Sequence, residues 1–278
     1  MRLHAAANRF NSTQASDAYN PSIKFMCQFE AMNFSKIDGV AVRKRQISVA
    51  PDVVVPARGA IAIDGEVYLA GHAAPDYWDN TVIRQTLILQ GADGVSAILT
   101  MAEALGNLPG VSAYAATVFM KYGTDERTSS EFFPQYQVFL GGAEMIAAGY
   151  LVHLDDRWFH IKEAYQSASG LIIALGNKFD SSIFEVATIA TKTYAPVTDT
   201  YTSVTTTAKI LRFRRAESFD RVTTAQENNE QGDETIHVLK SAWPLFKQSD
   251  TLVLSDGPWR VLAVEDKGLT MSLHTRRD

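Results

Sequence analysis

Alternating apolar and polar positions along the chain predict a mainly β protein. Residues 60–72, AIAIDGEVYLAGH, alternate on both sides of the pair Asp64-Gly65, and glycine accepts the positive φ that a tight hairpin turn requires. The same pattern occurs in residues 149–177, where Asp155-Asp156 occupies the turn, and again in residues 254–277. Three β-hairpins are therefore expected.

Two further segments extend this prediction. Residues 184–215 are rich in Thr and Val, which favours long extended strands. Residues 95–108, VSAILTMAEALGNL, place apolar residues at helical spacing, and Gly106 is a suitable end for a helix. The protein is thus expected to contain a minor helical element.

The three predicted hairpins align when their turns are superimposed, and their turn aspartates are 91 and 101 residues apart. The matching sets are Asp64, Asp155 and Asp256, then Val67, Trp158 and Trp259, then Ala70, Ile161 and Leu262. Either three related β modules of about a hundred residues follow one another, or the match reflects how common such turns are in β proteins.

These patterns predict two or three small barrel- or sandwich-like modules after a flexible N-terminal arm. Residues 1–24 are assigned to the arm because they are rich in Asn, Ser and Thr. The first β module is placed at 25–95, the helix and the second module at 96–183, and the C-terminal module at 184–278.

The composition is that of a globular protein and excludes some function classes. Hydrophobic residues make up 46% of the 278 residues, which is enough for a sizeable core. The formal charge of −5 argues against a protein whose main task is holding nucleic acid, because that requires a concentrated basic surface. The single cysteine, Cys27, excludes an intramolecular disulfide and lies in an apolar stretch, so we expect it to be buried rather than nucleophilic.

No segment predicts a membrane span or a targeting signal. The longest apolar runs, such as GLIIALG at 170–176, are far shorter than the roughly 20 residues needed to cross a bilayer. The first 25 residues contain no continuous apolar core of signal-peptide length. We expect the protein in the cytosol or within an assembly.

The chain carries no local signature of catalysis. It lacks a GxSxG elbow, a GxxxxGK[ST] loop, a GxGxxG turn after a strand and an HExxH pair, so we expect neither an enzyme nor a cofactor. His153 and His160 flank a predicted turn and could approach each other across the hairpin, but exposed strand positions are the commoner reading.

Residues 71–80, GHAAPDYWDN, allow two interpretations. His72, Asp76 and Asp79 lie near two aromatic residues and could form an acid–base pocket. We favour a loop in which Pro75 fixes the turn and the aromatic residues anchor it to a core or a neighbour.

A basic segment is followed by an acidic one. In KILRFRR (209–215), a strand would place Arg212 and Arg214 on one face, either as a phosphate contact or, more commonly, as a solvated or salt-bridged interface. Residues 216–235 form a long polar stretch, and such loops are usually functional or disordered. Its acidic residues are Glu217, Asp220, Glu227, Glu230, Asp233 and Glu234.

The closing unit, residues 234–277, combines an apolar strand, Asp250 before Leu252, a turn at Gly257, an aromatic before a valine strand, and a last strand ending in arginines. This unit resembles the C-terminal part of head-closure and head–tail joining proteins of tailed bacteriophages. The long polar loop before it resembles the excursion that such proteins carry between barrel strands. The resemblance covers 44 of 278 residues, and those proteins are commonly a single small barrel.

The resemblance implies a structural virion protein, assembled in the host cytoplasm, that forms a homo-oligomeric ring, closes the DNA channel and joins head to tail. Its partners would be a portal or adaptor protein on the head side and a tail-terminator or tail-tube protein on the tail side, with passing contact with genomic DNA and no membrane. The acidic loop would face the lumen and repel DNA within a Debye length of about 8–10 Å. The candidate interface arginines are Arg212, Arg214, Arg276 and Arg277, and the candidate module-core or interface aromatics are Tyr77, Trp78, Trp158 and Trp259.

Two alternatives remain open. Within the same class, the protein would be a tail-tube, tail-terminator or baseplate component. From a different class, it would be a carbohydrate- or receptor-binding β protein with an aromatic platform of Tyr77, Trp78, Trp158 and Trp243.

Overall fold

Three closed barrels, each of six antiparallel strands, make up the fold. The computed structural model describes residues 12–30, 35–37, 40–42, 44–54, 59–120, 136–141, 146–166, 171–195, 199–213 and 233–277. Across these ranges the protein is mainly β with only short helical turns, which confirms the predicted fold class.

The strands follow one another barrel by barrel along the chain. Barrel 1 contains β1 (Ser12–Asp17), β2 (Lys24–Glu30), β5 (Lys44–Val49), β6 (Ala60–Ile63), β7 (Glu66–Trp78) and β8 (Thr81–Gly91), and a separate two-stranded sheet of β3 (Ser35–Ile37) and β4 (Val40–Val42) lies between β2 and β5 in the chain. Barrel 2 contains β9 (Gly94–Leu99), β10 (Val111–Phe119), β11 (Tyr136–Gly141), β12 (Leu151–Leu154), β13 (Arg157–Gln166) and β14 (Ile172–Phe179). Barrel 3 contains β15 (Phe184–Ala195), β16 (Thr200–Arg212), β17 (Asp233–Leu239), β18 (Thr251–Leu254), β19 (Gly257–Lys267) and β20 (Thr270–Arg277).

All three barrels have the same strand order. When the strands of each barrel are numbered one to six along the chain, neighbours around the barrel follow the order 1-2-3-6-5-4, and strand 4 closes against strand 1. In each barrel the turn between strands 4 and 5 has two residues, namely Asp64-Gly65, Asp155-Asp156 and Ser255-Asp256. The three predicted hairpins therefore occupy one equivalent position in three modules of identical topology.

The sequence alignment of the third hairpin is wrong by one residue. Leu254 pairs with Gly257 as Ile63 pairs with Glu66, so Asp256 is the second turn residue, whereas Asp64 is the first. A one-residue slip exchanges the two faces of a strand. The corrected alignment matches Tyr68, Phe159 and Trp259, which are all buried, and then Ala70, Ile161 and Val261, which are buried as well.

Each barrel encloses its own apolar core. The core of barrel 1 includes Cys27, Ile47 and Leu87, that of barrel 2 includes Val138, Phe159 and Ile161, and that of barrel 3 includes Ile210, Phe246 and Trp259. Inward-facing strand residues supply most of these side chains, as closure of a small barrel requires.

The helical element is shorter than predicted. Helix α1 spans Met101–Leu105, with Thr100 and Glu103 forming a capping box and Gly106 at its end as expected. The residues before it are strand β9, because pairing with β10 determines the conformation of a short apolar run that suits either structure. Two 3₁₀ turns, Ser181–Ile183 and Lys240–Leu245, complete the helical content of the described residues.

The chain divides into two compact units. One unit, Met1–Ile98 with Val111–Lys178, contains barrels 1 and 2, and the other, Leu99–Gly110 with Phe179–Asp278, contains helix α1 and barrel 3. Within the first unit the two barrels share an apolar cluster of Ala60, Leu69, Ala116 and Leu171. Tyr19 joins them further, since its hydroxyl donates to the Gly141 carbonyl and accepts a hydrogen bond from the Tyr114 amide at 2.9 Å.

Two sequence predictions are corrected by the strand assignments. Ser12–Asp17, placed in the flexible arm, is strand β1 and pairs with both β2 and β6; residues 1–11 lie outside the described residues. Residues 71–80, predicted as a loop fixed by Pro75, continue strand β7 to Trp78, and Pro75 pairs with Gln85 of β8.

Candidate functional site

One end of each barrel carries its longest connection. The segments between strands 2 and 3 span residues 31–43, 120–135 and 213–232, which are 13, 16 and 20 residues long. Because neighbouring strands are antiparallel, the turn between strands 4 and 5, the start of strand 1 and the end of strand 6 lie at that same end. We call it the loop end.

A buried ion cluster occupies the loop end of barrel 3. Arg212, at the end of β16, has a side chain only 2% exposed. Its guanidinium donates two parallel hydrogen bonds to the carboxylate of Asp256, at 3.1 and 2.8 Å, and a third from Nε to Glu234. Glu185 lies 3.7 Å from Nη1. The planar fork of arginine suits this bidentate contact, which lysine does not reproduce.

Aromatic and polar contacts complete the cluster. The Arg212 guanidinium lies over the Trp259 ring at 4.4 Å, and the Trp259 indole N–H donates to Asp256 at 2.9 Å. Ser255 donates to Glu185 at 2.9 Å. The charged groups are therefore hydrogen-bonded as well as paired, which is what a buried charge requires.

The cluster shifts the pKa of two of its groups. Burial opposes the charged form of Arg212, but hydrogen bonds to Glu234 and Asp256 outweigh it and raise the pKa of the guanidinium. The hydrogen bond from Arg212, assisted by that from Trp259, lowers the pKa of Asp256 to about 2. Arg212 and Asp256 are therefore both ionised at neutral pH.

This geometry places Arg212 and Glu234 in one cluster. Arg212 is not an exposed interface residue, because it shares a strand face with the core residue Ile210 and is buried. Glu234 lies in β17 and pairs with Arg212. The cluster thus fixes together both ends of the 213–232 connection. The sequence signal for this burial was that Ile210 and Arg212 are two residues apart in a strand and therefore lie on the same face.

The other predicted charged residues divide into three groups. Asp233 begins β17, so the acidic segment ends three residues earlier than predicted. Arg276 is half-buried, and Arg277 is exposed and donates to the Asp256 carbonyl at 2.7 Å. Four acidic residues of the predicted loop and one arginine lie outside the described residues, namely Glu217, Asp220, Glu227, Glu230 and Arg214.

The predicted aromatic residues occupy different environments. Trp259 is a core residue of barrel 3, as expected, and Trp158 stacks on His153 with ring centroids 4.2 Å apart. Tyr77 and Trp78 are 63% and 75% exposed at the tip of the β7–β8 hairpin. The side chain of Trp243 is outside the described residues.

The structure describes two of the three side chains considered for an acid–base pocket in residues 71–80, namely Asp76 and Asp79. Asp76 pairs with Arg84 at 2.5 Å and accepts from Thr86, and these hydrogen bonds lower the pKa of the Asp76 carboxyl. Asp79 lies in the two-residue tip Asp79-Asn80, where both residues have positive φ. The side chain of His72 is outside the described residues.

Metal-binding clusters and the cysteine were considered in the parts of the chain that the structure describes. No group of three or more His, Cys, Asp or Glu side chains is placed there to hold a metal ion. Cys27 is buried as predicted, and burial, with a smaller effect of Asp64, raises the pKa of its thiol to about 11. None of the described helices is long and apolar enough to cross a membrane.

Comparison with known proteins gave no match to a family model, a curated protein or a solved structure.

Proposed function

We propose that the protein is a structural subunit at the head–tail junction of a tailed bacteriophage, where a homo-oligomeric ring closes the DNA channel and joins head to tail. The supporting observation is the form of residues 184–277. They close into one small barrel, and the acidic segment connects strands 2 and 3 of that barrel. A single small barrel with a long polar excursion between its strands is what the resemblance of residues 234–277 implies.

The placement of the charges suits a channel. Glu217, Asp220, Glu227 and Glu230 lie in a connection whose two ends are held by the Arg212 cluster. In a ring, each copy adds these carboxylates to the lumen, and like-charge repulsion keeps DNA from adhering within about 8–10 Å. The portal or adaptor protein lies on the head side of this ring and the tail-terminator or tail-tube protein on the tail side.

Electron microscopy of particles assembled without this protein tests the proposal. We expect filled heads that lose DNA and carry no tails. Tailed particles that retain their DNA would contradict a role in closure and joining. A strictly monomeric protein, even when mixed with particle fractions, would contradict the ring.

Charge substitution in the loop tests the role of the lumen. We expect particles with Glu217→Lys, Asp220→Lys, Glu227→Lys and Glu230→Lys to assemble but to release DNA more slowly, because the cationic loop attracts phosphates. The matched control replaces the same residues with Gln or Asn, which removes charge without adding attraction. Equal release rates for both variants would exclude DNA contact by this loop.

The exposed aromatic tip favours a second candidate, a carbohydrate- or receptor-binding protein. Trp78 and Tyr77 present apolar rings to solvent beside the polar Asp79-Asn80 turn. On a glycan array, Trp78→Ala should abolish binding while the neighbouring Thr81→Ala retains it. Absence of glycan binding by the parent protein would exclude this candidate.

A further inference from the structure

The β15–β16 hairpin of barrel 3 extends well beyond the barrel. The two strands pair over twelve positions, from Phe184 with Leu211 to Ala195 with Thr200. On the barrel side, β18 pairs with β15 only at Thr188 and Ile189, and β17 pairs with β16 only from Ile210 to Arg212. Among the described strands, the outer edge of β16 before Ile210 therefore has no further pairing partner.

This edge lacks the features by which proteins protect unpaired strands. Residues 200–208, TYTSVTTTA, contain no charged residue and no proline, and they are rich in β-branched residues. The other long ribbon, β7–β8, differs in this respect, since its outer part contains Pro75, Asp76, Asp79 and Arg84. Pairing with another strand would explain why the β16 edge carries none of these features.

We propose that the β16 edge, residues 201–207, pairs with the same edge of a second copy of this chain. The contact is antiparallel and two-fold symmetric, with the axis at Val204. Tyr201 then lies opposite Thr207, Thr202 opposite Thr206, and Ser203 opposite Thr205. Cross-strand pairs of Thr with Thr or Ser stabilise a sheet, and no like charges meet.

The register also satisfies the backbone. Along a strand, alternate residues direct their N–H and C=O groups toward opposite edges. In a pairing centred on one residue, each residue lies opposite another an even number of positions away. The N–H and C=O groups that point out of the sheet edge on one copy therefore face those that point out on the other copy. This holds for either set of alternate β16 residues.

This contact goes beyond the proposed function and does not depend on it. A two-fold contact joins two copies and cannot by itself close a ring. It forms in the free protein and covers an edge that would otherwise template aggregation.

Disulfide trapping tests the register. In Val204→Cys, the two thiols lie across the axis, where Cβ atoms of opposed residues are about 4.5–5.5 Å apart. In the control Thr200→Cys, they lie eight residues apart along the strands, or about 27 Å. The native thiol of Cys27 is buried and should not react. We expect mild oxidation to yield at least ~10-fold more covalent dimer from Val204→Cys; equal yields, or none from Val204→Cys, would overturn the proposal.

Light scattering on the intact chain provides an independent test. The double substitution Ser203→Lys with Thr205→Lys brings four positive charges together across the axis, so we expect the parent dimer to become a monomer. Thr81→Lys with Val82→Lys, on the β7–β8 ribbon, should leave the dimer intact. A parent that is monomeric at its highest soluble concentration, or two variants that behave alike, would overturn the pairing. These tests use the free protein, whereas the ring is tested with particle fractions, so this proposal can fail while the proposed function stands.

Discussion

Replacing Arg212 with methionine removes the guanidinium that contacts Asp256, Glu234 and Glu185 at the loop end of barrel 3. Methionine keeps most of the apolar stem and its packing, so the change isolates the guanidinium. Asp256 and Glu234 then lose their ion pairs with Arg212 beside a hydrophobic core.

The magnitude follows from the burial of the partners. Removing one partner of a buried ion pair typically costs about 3–5 kcal/mol. Arg212 is 2% exposed, but the side chains of Glu234 and Asp256 are 18% and 27% exposed, so water can partly hydrate them after the substitution. We therefore expect a loss of about 3 kcal/mol in the free energy of unfolding of barrel 3.

Urea unfolding followed by tryptophan fluorescence measures this loss. The fluorophores are restricted to barrel 3 by placing the variant in a Trp78→Phe, Trp158→Phe background, which leaves Trp243 and Trp259. For a barrel of this size a slope of about 1.5 kcal/mol per molar urea converts the loss into a midpoint lowered by about 2 M.

The matched control is Arg260→Met, an exposed arginine on strand β19 of the same barrel. Surface substitutions of this kind usually change stability by less than about 0.5 kcal/mol. An Arg212→Met midpoint as close to the parent as that of the control would refute the inference that the cluster stabilises the barrel.

Two further predictions concern the same fold. The pKa of Asp256 falls from 3.8 in the unfolded chain to about 2 in the barrel, chiefly through Arg212, so its carboxylate stabilises the fold above pH 4 and this contribution is lost toward pH 2. Between pH 4 and 2 the parent should lose about 2 kcal/mol more unfolding free energy than Asp256→Asn, and parallel pH profiles would exclude this linkage. Gly176→Ala should destabilise barrel 2 by about 1–3 kcal/mol in urea unfolding, because the added Cβ would lie 2.6 Å from the His160 carbonyl oxygen. Gly91→Ala, which meets nothing within 4 Å, is its control, and equal midpoints for the two would contradict the close approach.

Local patterns predicted most of the hairpins. The alternation around Asp64-Gly65 and Asp155-Asp156 requires only a turn and two short strands, and both hairpins form there. The third turn misled the alignment, because Ser255-Asp256 occupies the turn while Gly257 already pairs with Leu254. The register of this hairpin depends on the pairing of β18 with β15, which lies some 65 residues earlier in the chain. A local sequence pattern does not show such a pairing.

Features that depend on distant partners were not predictable in this way. Strand β1, with the sequence STQASD, has one buried apolar residue, Ala15, and is held in place by hydrogen bonding to β2 and β6. The partners of Arg212 lie 22 and 44 residues after it and, for Glu185, 27 residues before it. Only closure of the barrel brings these charges together.

The strand order has a consequence for how such a chain is built. In each barrel strand 1 begins, and strand 6 ends, at the loop end, so the chain leaves a module where it entered. A copied module can then be joined to its predecessor without a segment that runs the length of a barrel. The linkers agree with this, since Ala92-Asp93 joins the first two barrels and residues 180–183 precede the third. A barrel with this strand order can therefore be joined to the one before it through a linker of only a few residues.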